Sequence, residues 1–447
     1  MKLEKLINQF NTANTHLVVS RWPSKAGAGF DGIATYTEDT LKNFVKTSGA
    51  RFVVFAEQQP GEKEYEVVDK NILVLRIFNP HRHSLFPTIL TWLRKFSAIK
   101  QVVVHSEFCA SGGPHMRLLM VPFLLLIKLT RREVVLYAHN VVDQLDAIAQ
   151  HLNLESNSFK LTLFSAGLRL YYRLLGVVVD TFVVLEDVIG QRLARYTKKP
   201  ISVQYHWVKP YQGKITKKEA RKRLGLPLKK NLVLSFGFVT YYKGADWFAN
   251  VAKKAATDTS FDNTLFVLAG GEAYSLKDEQ YYKQYYQTIK HAATTQENLL
   301  LTGFIPSDQI KLWLLAADTV VFPYRELIGG SGALQQALKY NCTILQSKPM
   351  LENMYNGIIH QALEKSGLTA ADVQFPLHSG HFLKKLKSIQ TDPVFAKKLK
   401  KYATTMQKQV SFEKLVPQHY QTVFFQPQTA HLNELTVPQK LFRLAKI

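Results

Sequence analysis

Short apolar runs that favour β-strand alternate with helical patterns along most of the chain. Several of these runs are continuously apolar, as in the valine triplets at residues 102–104 and 177–179. Strands buried on both faces have this composition, which is typical of parallel sheets that are covered by helices. The alternation therefore predicts an α/β protein built from successive βαβ units.

The predicted elements form two consecutive series, each long enough for its own doubly wound sheet. Strands are predicted at residues 15–20, 51–56, 72–77, 101–105, 133–138, 178–185 and 201–205, and then at 231–236, 264–268, 298–302, 319–322 and 343–346. Helices are predicted between them at residues 32–47, 87–96, 113–130, 161–175 and 187–196, and then at 244–256, 277–293, 307–316 and 331–340. We therefore expect two Rossmann-like domains.

A basic stretch at residues 209–230, with a proline near each end, separates the two series. We place the hinge near residues 206–214. The predicted domains are an acceptor-side domain over residues 1–208 and a nucleotide-sugar domain over residues 209–410. Residues 411–447 form a tail that could pack back on the first domain.

Composition limits the class of protein. The chain has 447 residues, 46% of them hydrophobic, which excludes a disordered chain. Its longest apolar run has ten residues, 118–127, whereas a spanning helix needs about 20. The N-terminus lacks the apolar core of a secretory signal, and Cys109 and Cys342 form no disulfide framework. A cytoplasmic protein is expected, and its net charge of +23 should attract phosphorylated or other polyanionic partners.

Three glycines follow the first predicted strand and precede a helix. Gly27, Gly29 and Gly32 have the G-x-G-x-x-G spacing. Backbone N–H groups at such a helix start can bind an anion, although a simple strand–helix turn would give the same spacing.

The second series opens with a similar arrangement. Gly237 follows the strand at 231–236, and Lys243 precedes the next helix. A lysine beside a helix N-terminus is suited to a diphosphate, although an ordinary surface lysine would also fit this position.

A third glycine cluster lies between the strand at 319–322 and the helix at 331–340. Gly330, Ser331 and Gly332 would present backbone N–H groups to an anion at the helix start. Arg325 adds a fork-shaped cation, and Glu326 adds a carboxylate for sugar hydroxyls. A structural turn needs fewer glycines, so this cluster favours a binding site.

Two histidines follow predicted strands of the first series. His105 and His139 both lie where a doubly wound sheet opens onto its ligand crevice, although a histidine in a structural turn would fit equally. No Asp-x-Asp occurs, so no metal site is predicted, and the absence of an aromatic–basic RNA-binding signature argues against a nucleic-acid partner.

The second series resembles the C-terminal half of glycosyltransferase family 4, which comprises retaining enzymes of the GT-B fold. The resemblance is clearest over residues 232–346 and rests on an ordered set of motifs: Gly237…Lys243-Gly244, Leu268-Ala-Gly-Gly271, Leu301-Thr-Gly303, Asp318…Pro323-Tyr324 and Ser331-Gly332. It implies two Rossmann-like domains with a nucleoside-diphosphate sugar in the cleft between them. It also implies that Lys243 binds the diphosphate.

The chain departs from this family at three positions. Phe238 replaces the usual basic residue, and Leu334 and Gln336 stand where the Glu-x7-Glu pair would place carboxylates. The resemblance therefore leaves two hypotheses open. One is an active, metal-independent transferase without a cofactor. The other is a catalytically degenerate GT-B subunit that supports a partner transferase.

For the active enzyme, we expect Lys243, Arg325 and the 330–332 backbone to stabilise the departing diphosphate. Glu326 would bind ribose or sugar hydroxyls, and His139 would contact the sugar from the first domain. The glycine loop of residues 27–32 would close over the diphosphate or orient the acceptor. The acceptor is expected to be a glycan or a lipid-linked molecule, as in surface polysaccharide or glycolipid assembly.

Two helices of the first series favour a membrane surface. The patterns at 113–130 and 160–175 mix leucines and tyrosines with arginines, namely Arg131, Arg132, Arg169 and Arg173. Such helices can lie in a bilayer interface, where the basic side chains would contact anionic lipid. The alternative is that both helices pack into the domain core and leave the arginines in water.

Overall fold

The computed structural model describes residues 3–24, 32–80, 82–106, 114–142, 159–273 and 276–425, and for residues 114–117 it describes the backbone alone. The described chain folds around two separate sheets, of eight and six strands. Each sheet has its own hydrophobic core, which matches the two series predicted from the sequence.

The first sheet has the strand order β3-β4-β2-β1-β5-β6-β7-β8 and is parallel except for the β3–β4 pair. Its strands are β1 (Thr15–Val19), β2 (Arg51–Glu57), β3 (Tyr65–Val68), β4 (Ile72–Phe78), β5 (Gln101–Ser106), β6 (Glu133–Ala138), β7 (Thr181–Val184) and β8 (Ile201–Val203). The helices that cover it are α1 (Leu3–Phe10), α2 (Gly32–Ser48), α3 (Leu85–Leu93), α4 (Pro114–Leu129), α5 (Phe159–Val178) and α6 (Asp187–Ala194).

The second sheet has the order β11-β10-β9-β12-β13-β14, and the strand pairs that form it are parallel. Its strands are β9 (Asn231–Phe236), β10 (Thr264–Ala269), β11 (Leu299–Leu301), β12 (Thr319–Phe322), β13 (Ile344–Ser347) and β14 (Gln374–Phe375). Its helices are α7 (Lys217–Arg223), α8 (Ala245–Ala255), α9 (Gln280–Thr295), α10 (Ile310–Ala316), α11 (Gly332–Lys339), α12 (Lys348–Met354), α13 (Gly357–Ser366), α14 (Ala370–Val373), α15 (Ser379–Thr391) and α16 (Pro393–Gln409).

The last described helix, α17 (Phe412–Phe424), returns to the first domain. It packs against α2, and its Val416 and Tyr420 share a buried cluster with Phe44 and Phe52. The chain therefore crosses between the domains twice, once between β8 and α7 and once at the start of α17.

Both sheets have a topological switch point, where the chain order reverses. In the first sheet β1 lies between β2 and β5, and in the second β9 lies between β10 and β12. Ligands of open parallel sheets bind in the crevice at the carboxyl ends of the strands beside such a point. The loops that follow β9 and β12 therefore lie at the expected ligand crevice of the second domain.

Candidate active site

The glycine at the end of β9 brings three elements of the second domain together. Gly237 has a φ of +122°, which a residue with a side chain rarely adopts. A Cβ built on it would lie 3.0 Å from Nζ of Lys243 and 3.8 Å from Cβ of Ala333, on the first turn of α11. The end of β9, the lysine and the start of α11 therefore form one cradle.

Lys243 is half-buried, and aromatic rings surround its ammonium group. The rings of Phe238, Tyr242 and Tyr324 have centroids 5.7–5.9 Å from Nζ. Among the described residues, no carboxylate forms an ion pair with this ammonium group. Burial lowers the pKa of Lys243 to about 8, because the charged form is poorly hydrated there. An anion at this point would supply the missing counter-charge.

The next residue fixes the lysine against the loop after β12. Gly244 has a φ of +74°, and a Cβ on it would lie 2.1 Å from the carbonyl oxygen of Pro323. Only glycine permits this close approach, which holds the start of α8 beside β12.

The start of α11 is capped and faces open space. The Ser331 hydroxyl accepts a hydrogen bond from the Leu334 N–H at 3.3 Å, and it lies 3.3 Å from the Tyr324 hydroxyl. A Cβ added to Gly332 would meet nothing within 4 Å. The first N–H groups of α11 therefore remain available beside Lys243, where the helix dipole favours negative charge.

Arg325 forms its hydrogen bonds within its own domain. Its guanidinium donates to both carboxylate oxygens of Asp246, at 2.8 and 2.6 Å, and to the carbonyl oxygen of Tyr241. These bonds tie the loop after β12 to the start of α8, beside Lys243. The contact between Arg325 and a diphosphate remains a prediction.

Glu326 faces the first domain. Its Oε1 accepts from Nη2 of Arg192, on α6, at 2.5 Å, and both side chains are largely buried, with 14% and 7% of their area exposed. Arg192 also donates to the carbonyl oxygens of Leu327 and Val141, one from each domain. This side chain therefore joins the two domains at the crevice.

The two glycines before Ser331 pack against the first domain. A Cβ on Gly329 would lie 2.6 Å from the carbonyl oxygen of His139, and one on Gly330 would lie 2.7 Å from Nε2 of His206. Asn140 forms an isolated β-bridge with Gly329. The structure thus divides residues 329–332, because Gly329 and Gly330 form a domain contact whereas Gly332 faces open space.

His139 is buried at the carboxyl end of β6. Its Nε2 lies 3.1 Å from Nδ1 of His105, and its ring meets the edge of Tyr36 with centroids 5.6 Å apart. Burial keeps the pKa of His105 well below its usual value, and the neighbouring His139 lowers it by a smaller amount. Burial also lowers the pKa of His206 to about 4. The imidazoles of His105 and His206 are therefore neutral at pH 7.

The glycine loop of the first domain is only partly described. Gly27 and Gly29 lie outside the described residues, whereas Gly32 is the first residue of α2, which follows β1 at the switch point. Within the described ranges, no group of three or more His, Cys, Asp or Glu side chains is placed to hold a metal ion.

Comparison with known proteins bears on this crevice directly. Residues 216–350 match the family model described as "Glycosyl transferases group 1", and these residues contain the whole cradle. The fold is GT-B, and the matched residues are a glycosyltransferase domain. No curated protein sequence matches the chain significantly.

Several solved glycosyltransferase structures share this GT-B fold at low sequence identity. Sucrose-phosphate synthase from Thermosynechococcus elongatus is 14% identical, with a TM-score of 0.65 over 91% of this chain and 98% of its own. WaaG, a glycosyltransferase involved in lipopolysaccharide biosynthesis, is 14% identical, with a TM-score of 0.62 over 92% of this chain and 100% of its own. HepE of Anabaena, solved with UDP-glucose, is 12% identical, with a TM-score of 0.60 over 91% and 98%.

Two side chains of the glycosyltransferase crevice were not predicted as site residues. His206 follows β8, so its place after a strand was a usable signal. Arg192 lies inside a helix, 134 positions before its partner Glu326, and no local pattern marks it. Leu334, at the position of the missing glutamate, is buried in the hydrophobic core.

The structure also corrects one membrane prediction. Arg132 is buried and donates to the carbonyl oxygens of Ile99, Leu93 and Phe96, so it cannot contact lipid. Arg131, Arg169 and Arg173 are exposed. By length and composition, α5 could cross a membrane, although 28% of its most apolar window is buried inside the protein.

Proposed function

We propose that the chain is a retaining glycosyltransferase that transfers a sugar from a nucleoside-diphosphate sugar without a metal ion or other cofactor. The observation that carries the proposal is the cradle of Gly237, Lys243 and the start of α11, which lies at the switch point of the matched domain. HepE, a structural relative that was solved in complex with UDP-glucose, supports a nucleotide sugar as the donor class.

In this proposal the diphosphate lies between Lys243 and the first N–H groups of α11. Negative charge on the diphosphate grows as the bond between it and the sugar breaks. A fixed cation and a helix N-terminus stabilise that charge without reorganising, which lowers the barrier. Losing one such group typically slows catalysis by about 100–1,000-fold.

In the front-face reaction that we propose, the acceptor oxygen attacks the face of the sugar that the phosphate leaves, which retains the anomeric configuration. The bond from the anomeric carbon to the phosphate oxygen breaks, the bond to the acceptor oxygen forms, and the acceptor proton passes to the departing phosphate. His139 lines the crevice from the first domain and would hydrogen-bond a sugar hydroxyl.

Glu326 would contribute its second carboxylate oxygen to the ribose or sugar hydroxyls. Arg192 donates to Oε1, so Oε2 is the oxygen left to accept from a hydroxyl. Arg325 acts through Asp246, because its two hydrogen bonds hold the start of α8 and thereby position Lys243.

The acceptor we propose is a glycan or a lipid-linked molecule at the inner face of a membrane, as in surface polysaccharide or glycolipid assembly. The net charge of +23 supports an anionic surface nearby. No nucleic-acid partner is proposed, because the cationic groups of the crevice serve a diphosphate.

The test begins with thermal unfolding of the purified chain in a panel of nucleoside-diphosphate sugars, since binding to the folded state raises its melting temperature. The stabilising donor is then incubated with lipid-linked and soluble glycan acceptors, and NMR identifies the anomer of the product. Retention with turnover supports the proposal. Donor binding with neither transfer nor hydrolysis would instead identify a degenerate subunit, and inversion would refute the retaining mechanism.

A further inference from the structure

Helices α4 and α5 carry eleven of the sixteen large apolar side chains that are exposed in the described chain. Phe159, Leu118, Leu129, Val177 and Leu163 have between 63% and 81% of their area exposed. Single exposed leucines are ordinary, but a contiguous exposed apolar surface marks an interaction site.

These side chains share one face on each helix. Leu118, Leu125 and Leu129 are spaced by seven and four residues on α4, and α5 repeats the spacing at Leu163, Leu170 and Leu174. The opposite faces pack into the domain core. Because the two helices contact each other, their exposed faces can form one surface, here called the α4–α5 face.

The charged side chains that the two helices themselves carry are all basic. Neither helix contains an aspartate or glutamate, whereas Lys160, Arg169, Arg173 and Arg131 are exposed. A symmetric contact between two copies would set these cations against each other, which is unfavourable. An anionic surface complements them.

The packing of α5 determines how it can meet a bilayer. Leu161, Leu168, Tyr172 and Leu175 are buried against the domain along most of its length, and its C-terminus leads directly into β7. A helix held along one side in this way cannot cross a membrane, but its opposite side can lie in the bilayer interface.

We propose that the α4–α5 face docks the protein on an anionic membrane, with its apolar side chains in the acyl boundary and its basic side chains against lipid headgroups. Both helices begin near the carboxyl edge of the first sheet, which also holds His139, so a lipid-linked acceptor could reach the crevice from the bilayer. Docking itself does not depend on the proposed function; only this acceptor route does.

The test is co-sedimentation of the full chain with phosphatidylcholine vesicles, with and without phosphatidylglycerol, at low and high salt. Each basic residue near an anionic surface contributes about 1 kcal/mol, so R169Q/R173Q should bind anionic vesicles roughly 30-fold more weakly. The control K253Q/K254Q removes two exposed lysines of α8 and should bind like the wild type.

The apolar contribution is tested separately with L163Q/L174Q, which should lose binding to neutral and anionic vesicles alike. These side chains are exposed, so the melting temperature should stay the same. Light scattering of the unliganded protein tests whether a second copy of the chain occupies this face instead. In that case the wild type would be a dimer and L163Q/L174Q would be a monomer. Such a dimer would overturn the proposal. Vesicle binding that neither R169Q/R173Q nor L163Q/L174Q weakens would overturn it as well.

Sugar transfer to a soluble acceptor separates the two proposals. R169Q/R173Q and L163Q/L174Q should both keep wild-type transfer in this assay, because none of the four substituted residues belongs to the crevice. If vesicle binding fails while transfer persists, only the membrane proposal is wrong. If vesicle binding follows the prediction but no donor is used, the glycosyl-transfer proposal is the one that fails.

Discussion

Replacing Arg192 by methionine tests the contact that joins the two domains. The substitution keeps a long side chain on α6 but removes the cation bound to Glu326 and two hydrogen bonds to carbonyl oxygens. Glu326, with 14% of its side chain exposed, would be left charged and without its partner. Removing one partner of a buried pair costs about 3–5 kcal/mol, mainly because the remaining charge is stranded.

The chain offers a matched control in Arg223, which pairs with Glu219 on the exposed surface of α7. An exposed pair contributes about 0–1 kcal/mol, so R223M should unfold almost like the wild type. For domains of this size each kcal/mol shifts the melting temperature by about 2–4 °C, so R192M should melt roughly 6–20 °C lower.

A double variant checks the physical reason. In R192M/E326Q the stranded charge is gone, so thermal unfolding should recover part of the loss caused by R192M alone. A melting temperature for R192M equal to that of R223M would refute the interdomain role of the arginine. A double variant that is less stable than R192M would refute the stranded-charge explanation.

Three further predictions concern the crevice. Because the pKa of Lys243 is about 8, UDP affinity measured by calorimetry should fall about tenfold per pH unit above pH 8. The affinity of K243R should not change over this pH range, because arginine stays protonated, and a fall in K243R would contradict this. G329A should lose about 1–3 kcal/mol of stability, because its methyl group meets the His139 carbonyl oxygen, whereas G332A should stay folded and weaken UDP binding; the reverse pattern would refute the division of this cluster. Transfer should survive EDTA, because Lys243 and α11 supply the positive charge; loss on chelation with recovery in Mg²⁺ or Mn²⁺ would refute a metal-free reaction.

Local sequence was sufficient for much of the fold. The bounds of β6, β9 and β12 agree with the predicted strands, because each is an apolar run buried on both faces. It was insufficient for β3, which is only half-buried and exists through its antiparallel pairing with β4. It also missed β14, which has two residues and depends on its neighbour β13.

The site divides in the same way. Gly237, Lys243 and the start of α11 could be placed together, because parallel strands bring their carboxyl ends to one edge. The partners of Glu326 and Arg325 could not be predicted, because they depend on domain packing and on side-chain reach over 134 and 79 positions. The separate roles of Gly329 and Gly332 likewise depend on which of them meets the other domain.

The most direct test of the account is turnover by K243Q with the nucleoside-diphosphate sugar that stabilises the wild-type chain. We expect the variant to keep its circular dichroism spectrum and to lose about 100–1,000-fold in kcat at saturating donor. The control K253Q replaces an exposed lysine near the far end of α8 and should retain wild-type turnover. Wild-type turnover in folded K243Q would contradict the claim that this lysine stabilises the departing diphosphate.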